Sequence, residues 1–393
     1  MRIIFFTYDI PYPLDSGGKI RAYNLLKEIS SKFEISLFSF YRKESQLAAC
    51  SHLQQICKSV TVFKRRSVNS PLNLLYLPAF PFPVSLYYDK KITRALKEEI
   101  RKKNCRLLHL ESFYTSLYLN YIEEIPQILG TENIEWLIYQ NYARKQNNVF
   151  IRKVLNFEIS RIKKFEIESW KKSSQVISVS EENASVVYKE TGKKPEIIAN
   201  GIDISHFKKI ERRDGRDVIF VGNFNYLQNQ DAAIWIIKEI WPKVFKNIAQ
   251  EKRKLIIIGK DAKLYLSKFK TIGVELIDGI YDIREVYKKA ALVLAPLRVG
   301  SGTKFKILEA LASGLPVVTT SLGAEGIVAP ESWGIVANDP DKIAKNIINL
   351  LGNEKLRTKL GDAGFQIIQK HFSWAQIGKK LIKSYEKVIN NYC

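Results

Sequence analysis

Sulfur and imidazole are scarce in this chain, which has four cysteines, four histidines and one methionine among 393 residues. Cys50, Cys57, Cys105 and Cys393 follow no zinc-binding spacing and suggest no disulfide framework. A reducing, cytoplasmic setting is therefore the simplest expectation. The histidines are too scattered for a metal cluster, so neither a bound metal nor a cofactor is expected. No apolar run approaches the roughly 18 residues of a membrane-spanning helix. The opening MRIIFFTYDI reads as a first strand rather than a signal peptide. Acidic residues are also few, with 40 Asp and Glu against 62 Lys and Arg and a net charge of +22. That excess implies an acidic partner, whether anionic lipid, nucleic acid or phosphorylated substrate. No nucleic-acid motif accompanies it, so nucleic acid is not expected.

What is present is ample apolar material, 46% of residues, in a chain long enough for two domains with separate cores. Its first half alternates short apolar runs with amphipathic stretches. Ile3 to Thr7 reads as a strand, followed by the turn YDIPYPLDSGGK and a helix from about Lys19 to Ser30. Further strands are expected at 35–40, 60–63, 107–110, 127–130 and 175–180. This alternation predicts a parallel sheet with right-handed crossovers. A glycine pair such as Gly17–Gly18 is, alone, as consistent with a tight turn as with a ligand site. His109, in the apolar strand LLHL, reads either as a core residue or as a catalytic one.

Two segments are unusual. Between Lys64 and Lys103, a cluster of Leu, Phe and Tyr residues lies among four prolines, with ten Lys or Arg against three acids. From Phe150 to Lys172 runs a basic amphipathic helix with seven Lys or Arg against three Glu. Both fit an interfacial contact with an anionic membrane or a lipid-linked acceptor. Both also fit apolar residues packed on the core beneath solvated lysines.

The chemistry concentrates between Ala290 and Ile327, AALVLAPLRVGSGTKFKILEALASGLPVVTTSLGAEGI. A buried strand at Ala291 to Ala295 leads into a glycine-rich turn. A helix follows from about Thr303 to Ser313 with Thr303 as N-cap, and Gly314 and Pro316 stop it. PVVTT is the next strand, and the loop Gly323 to Gly326 closes the unit. Backbone amides of such a loop and the helix N-terminus favour an anion. Lys304 and Lys306 in the first turn oppose the helix dipole, at a cost of about a few tenths of a kcal/mol each. A bound phosphate would offset that cost, and the plain alternative is that both point into solvent. Glu309 lies about 8–9 Å along the axis from the cap, the reach from a diphosphate to the ribose of the same nucleotide, whose hydroxyls a carboxylate accepts.

The stretch from Arg298 to Ile327 resembles the donor-site segment of GT-B glycosyltransferases, in particular family 4, also termed glycosyl transferases group 1. Glu309 stands where the final Glu of that family's Glu-x7-Glu motif stands, before Gly-Leu-Pro-Val-Val. The resemblance extends over most of the chain, with an Asn-Gly-Ile-Asp turn at 200–203. It implies an α/β GT-B fold of two Rossmann-like, doubly wound domains facing a cleft. An N-terminal acceptor domain is expected over 1–204, a linker over 205–217, a donor domain over 218–372, and a C-terminal helix over 373–393 that crosses back to the first domain.

The resemblance also implies roles. Gly17, Gly18, Lys19, Gly222, Asn223, Tyr281, Arg298, Gly300, Ser301, Gly302, Thr303, Lys304 and Glu309 would bind the donor. Glu111, Asn133 and Glu135 would face the acceptor, and Lys304 and His109 would be catalytic. Two positions depart from the family pattern. Asn223 and the Gln228–Asn229 region replace an Arg and a Lys that hold the diphosphate, and Ser301 replaces the first Glu. The expected activity is transfer of a sugar from a nucleotide-sugar to a glycan or lipid-linked acceptor in polysaccharide synthesis, a hexosyltransferase reaction with retention and without metal. The chain would be cytoplasmic, with peripheral contact at the inner face of the membrane. The rival expectations are a non-catalytic GT-B partner subunit and a nucleotide-sugar epimerase of the same fold.

Overall fold

The computed structural model describes residues 1–144, 146, 148–207, 215–279, 282–299 and 304–392. They form two units. The first comprises Met1–Ala199 and Trp374–Cys393, the second Asn200–Ser373.

Among the described residues, the first unit carries a seven-stranded sheet in the order β3-β2-β1-β4-β5-β6-β7. Its strands are β1 Arg2–Thr7, β2 Glu34–Tyr41, β3 Ser59–Lys64, β4 Cys105–Glu111, β5 Gln127–Thr131, β6 Gln175–Ser178 and β7 Glu196–Ile197. Every pairing is parallel. The second unit carries six strands in the order β10-β9-β8-β11-β12-β13. These are β8 Asp217–Val221, β9 Leu255–Gly259, β10 Val274–Asp278, β11 Ala290–Ala295, β12 Val317–Thr319 and β13 Gly334–Val336, again all parallel. Each sheet starts in its middle, runs to one edge, then returns to build the other. That is the Rossmann order, and it leaves a crevice at the carboxyl ends of the strands where the order reverses. In the first unit this point lies between β1 and β4, in the second between β8 and β11.

The sequence forms these strands because parallel sheets are covered on both faces and need nearly continuous apolar runs. All six residues of β11 are buried. Phe6, Phe38, Phe40, Leu110, Tyr118 and Trp170 anchor one core, and Phe220, Trp241, Leu292, Leu294 and Ile347 the other. Each fully buried aliphatic or aromatic side chain contributes about 1.5–3 kcal/mol. The helix Trp374–Tyr392 packs on the helix Gly17–Ile29 within the first unit.

Several local expectations are corrected. The helix expected from Thr303 spans Phe305–Ala312, with Lys304 at the N-cap in extended backbone. Ser321–Ala324, expected within a loop region, is a short helix capped by Thr320, whose hydroxyl accepts from the Gly323 amide. Helices Pro340–Gly352 and Glu354–His371 and strand β13 complete the second unit without an earlier counterpart in the sequence reading. Of the stretch 205–217, residues 208–214 lie outside the described residues, and the remainder groups with the second unit. In the 64–103 segment Phe80, Leu86 and Tyr87 are buried, Tyr76, Phe82 and Tyr88 pack partly buried against the same core, and Leu74 and Leu75 are exposed.

Candidate active site

At the switch point of the first unit, the carboxyl end of β4 carries His109 and Glu111. His109 is fully buried and stacked on Phe5, with ring centroids 4.5 Å apart. Its Nδ1 faces the Tyr385 hydroxyl and its Nε2 faces Glu111 Oε2. Glu111 Oε1 accepts from Arg21 Nε at 2.6 Å. Arg21 Nη1 then donates to the carbonyl oxygens of Ile198 and Ala199, at 2.8 and 3.1 Å. A carboxylate accepts only, so His109 donates from Nε2 to Glu111. Burial alone would raise the Glu111 pKa, yet Arg21 and His109 hold it well below the usual carboxylate range. Gly130 makes room for this carboxyl, because a Cβ there would collide with Glu111 Oε2.

This chain of contacts corrects two expectations. His109 and Glu111 have no surface to offer a substrate. Their hydrogen-bonding atoms are engaged in fastening β4, the first helix and the C-terminal helix together.

Beyond them, at the ends of β1 and β5, lies a second group. Glu135 opens the helix Glu135–Arg144, and its carboxyl accepts from Tyr114 Oη at 3.2 Å. Burial pushes its pKa up to about 7. The amides of Glu135 and Trp136 donate to Glu166, at 3.1 and 3.3 Å, which caps this helix from a neighbouring one. Glu132 sits between β5 and Asn133. Its Oε1 is buried and has no hydrogen-bond partner among the described residues. Burial, then the nearby Glu111 carboxylate, raise its pKa well above the ordinary range. A Cβ on Gly18 would stand 2.5 Å from Tyr8 Oη and 3.3 Å from Glu132 Oε2, so glycine there keeps the loop close to both. Asn133 is half-buried beside them. Lys19, in the first turn of the helix Gly17–Ile29, pairs with Asp15 in the loop before it at 3.0 Å. The structure thus brings Gly17, Gly18, Asn133 and Glu135 to one edge, and adds Tyr8, Tyr114 and Glu132. Glu132 was readable as a charged residue directly following a strand; the tyrosines carry no sequence signal.

In the second unit, Gly222 ends β8 and lies against Asn229. Asn223 Oδ1 accepts from the Asn225 amide at 3.0 Å, and Asn229 Nδ2 donates to Asn223 O at 2.7 Å. Lys306 reaches into this turn from its helix. Its Nζ donates to Asn229 Oδ1 at 2.6 Å and lies 4.6 Å from the Phe220 ring centroid. The turn where the family pattern has cations therefore receives one from the Phe305–Ala312 helix. The solvent-facing alternative for Lys306 gives way to this contact. Burial first, and then Lys304, lower its pKa to about 7 against the pull of Glu309.

One helical turn on, Glu309 accepts from Tyr287 Oη at 3.3 Å. Burial raises its pKa to about 7. Tyr287 is fully buried on the short helix Arg284–Tyr287, and sequence reasoning missed it. Lys304 is half-buried at the N-cap. Arg298, expected at the phosphate, forms two hydrogen bonds to Asp231 at 3.1 and 3.0 Å and lies 4.5 Å over the Trp235 ring. Tyr281, Gly300, Ser301, Gly302 and Thr303 lie outside the described residues.

An amine and a carboxyl, each poised near neutrality at the crevice of a Rossmann sheet, suit a ligand that brings negative charge and hydroxyl donors together. The comparisons agree in kind. Residues 215–353 match the family Glycosyl transferases group 1. Over 400 residues the chain is 25% identical to an uncharacterized 44.6 kDa protein in the cps region of Klebsiella pneumoniae, covering 97% of this chain and 99% of that one. Its fold resembles sucrose-phosphate synthase from Thermosynechococcus elongatus, with TM-score 0.71 and 15% identity over 100% of both chains. It also resembles Anabaena HepE solved with UDP-glucose, with TM-score 0.68 and 15% identity over 98% of this chain and 100% of that one. Two Rossmann-like units in one chain are the GT-B architecture.

Proposed function

We propose that this chain, a group 1 glycosyltransferase of GT-B fold, moves a hexose from a nucleotide-sugar to a glycan or lipid-linked acceptor in cell-surface polysaccharide synthesis. One observation carries the reading: Lys306 and Glu309 project from one helix to the β8–β11 crevice, with Asn229 and Tyr287 orienting them. Lys306 takes up charge as the diphosphate arrives and stabilises the negative charge that develops when it leaves. Glu309 accepts from the ribose hydroxyls while Tyr287 holds its other face. Lys304 and the amides at the helix start add to the same field. Cations and amides in these roles would stand in for a metal at the leaving diphosphate, and retention is what the family 4 resemblance implies. The UDP-glucose bound to HepE and the cps-region relative support the donor class and the polysaccharide setting.

A thermal-shift panel of UDP, GDP, ADP and CMP sugars tests this. One nucleotide at about 100 times its dissociation constant should stabilise the chain by roughly 2.7 kcal/mol. No response to any of them would overturn the donor-site reading. Turnover that survives EDTA, and a product whose anomeric coupling matches the donor's, would support the metal-free, retaining course. A second reading rests on Asn223, which stands where the family pattern has an Arg. A non-catalytic partner subunit would bind the nucleotide and release no sugar.

The acceptor side carries a membrane proposal. Leu74 and Leu75 on the helix Leu72–Tyr76 are 68% and 71% exposed, and Phe150, Val154 and Phe157 on the helix Val149–Lys172 are 81%, 69% and 68% exposed. Arg161 joins the two segments by donating to the carbonyls of Leu77 and Phe80. Apolar residues concentrated this way on a chain of net charge +22 suit docking on an anionic bilayer. Flotation with vesicles containing anionic lipid should carry the chain upward, and Phe150→Ser with Phe157→Ser should abolish it. Equal flotation with neutral vesicles would count against the electrostatic part.

A further inference from the structure

A separate groove lies on the helix Lys90–Lys103 of the first unit. Lys90, Arg94, Lys97 and Arg101 repeat along it at intervals of four, three and four residues, which places them on one face. With Tyr88 and Tyr121 they line a concavity of ≈ 520 Å³. The two rings lie 5.8 Å apart and tilted by 35°, forming an aromatic floor. Thr93 also lines it, and its hydroxyl oxygen is buried without a hydrogen-bond partner among the described residues.

Glu124 faces two of the cations in this groove, Lys97 and Arg101, which help to lower its pKa. Lys97 stands 3.7 Å from Glu124. Glu98, the lining acid, pairs instead with Lys102 at 3.3 Å. Lys90 and Arg94 make no ion pair among the described residues. Like charges four residues apart, as in Lys90 with Arg94 and Lys97 with Arg101, destabilise a helix by about 0.2–0.5 kcal/mol per pair. An anionic ligand would convert that cost into attraction.

The surroundings select the kind of anion. A bilayer-docking element needs exposed apolar residues to insert, but the apolar residues Ile92, Leu96 and Ile100 of this helix are buried. The exposed apolar residues described above belong to other helices. Tyrosine rings present flat faces to the C–H face of a sugar ring, and guanidinium groups match carboxylate geometry. The concavity is within the size range of small-ligand sites.

We propose that this groove binds an acidic oligosaccharide, its sugar rings on Tyr88 and Tyr121 and its carboxylates on Arg94, Lys97 and Arg101. The choice of a saccharide rests on the glycan-acceptor reading above. The groove would hold an acidic glycan chain apart from the reacting end.

The test is calorimetric titration of the full chain with an alginate tetrauronate, with maltotetraose as neutral control. Tetrauronate binding should weaken with salt. It should fall about thirtyfold or more in Arg94→Glu/Lys97→Glu, while circular dichroism stays that of the native chain. Arg94→Gln should give a smaller loss in the same direction. Equal binding of maltotetraose, or unchanged tetrauronate binding in the charge-reversed variant, would overturn the proposal. So would capture by anionic vesicles with no tetrauronate binding, which would make the face a membrane contact. The nucleotide panel run on the same samples separates the two readings. A nucleotide response without tetrauronate binding sinks the groove alone, and the reverse sinks the donor site alone.

Discussion

Lys306→Met is expected to lower donor turnover by about 10²–10³-fold, the usual loss when one preorganised electrostatic donor is removed, while the chain stays folded. Methionine matches the length of the stem, and Lys306 is half-buried against Phe220 with an amine already near neutrality at a pKa of about 7. Removing a charge that burial disfavours costs the fold little. The measurement is nucleotide release from the donor identified by thermal shift. Wild-type affinity for the nucleotide should weaken as pH rises through about 7, because the amine then loses the proton that attracts the diphosphate. In Lys306→Met that dependence should flatten. Glu309→Gln isolates the other group, whose pKa is also about 7. It should weaken nucleotide binding by replacing the charged ribose acceptor with a neutral amide oxygen, and it should move the amine's pH dependence to lower pH, because Glu309 raises the Lys306 pKa. Unchanged turnover in Lys306→Met would remove this lysine from the donor site.

Arg21→Met should destabilise the first unit by about 3–5 kcal/mol, because it strands Glu111 as a buried, uncompensated carboxylate. Arg21 and Glu111 are both about 1% exposed. For a unit of this size the loss corresponds to a fall in melting temperature of roughly 6–20 °C, read by scanning calorimetry. Glu111→Gln should cost stability too, and the double variant should cost less than the sum of the two, since each single change leaves the other partner unmatched. The pH dependence has a definite sign. Glu111 is held below its ordinary value of 4.5 in the folded chain. It therefore contributes stability above that value, and the contribution is lost as pH falls through the folded pKa. The gap between wild type and Glu111→Gln should narrow in acid. A gap independent of pH, or a melting temperature unmoved by Arg21→Met, would show that the network does not hold the unit together.

The same network separates fold from site in the sequence reading. The family resemblance implied substrate-facing roles for His109 and Glu111, while the apolar strand LLHL by itself left His109 as core or catalytic. The contacts that enclose them come from Arg21, 88 and 90 positions away, and from Tyr385, 276 positions from His109. No local pattern announces partners at that distance. The helix that carries Glu309, by contrast, was legible because it is short, apolar and stopped by Gly314 and Pro316. Arg298 shows the limit of reading charge by position, for Asp231 and Trp235 engage it from another helix.

By itself the sequence determined the alternation of strands and helices, because parallel strands buried on both faces require uninterrupted apolar runs and turns require glycine, proline or asparagine. It also determined the charge and the donor-like helix, since both are written within a few dozen consecutive residues. The tertiary structure alone decided which polar side chains found partners within the protein and, among the described residues, which buried atoms did not. Lys306 entering the Asn229 turn, Glu132 keeping an unpartnered oxygen and the cationic face beside Tyr88 and Tyr121 each depend on elements distant in the chain. A buried polar group is settled by whatever lies within about 3 Å of it, and only packing brings those atoms together.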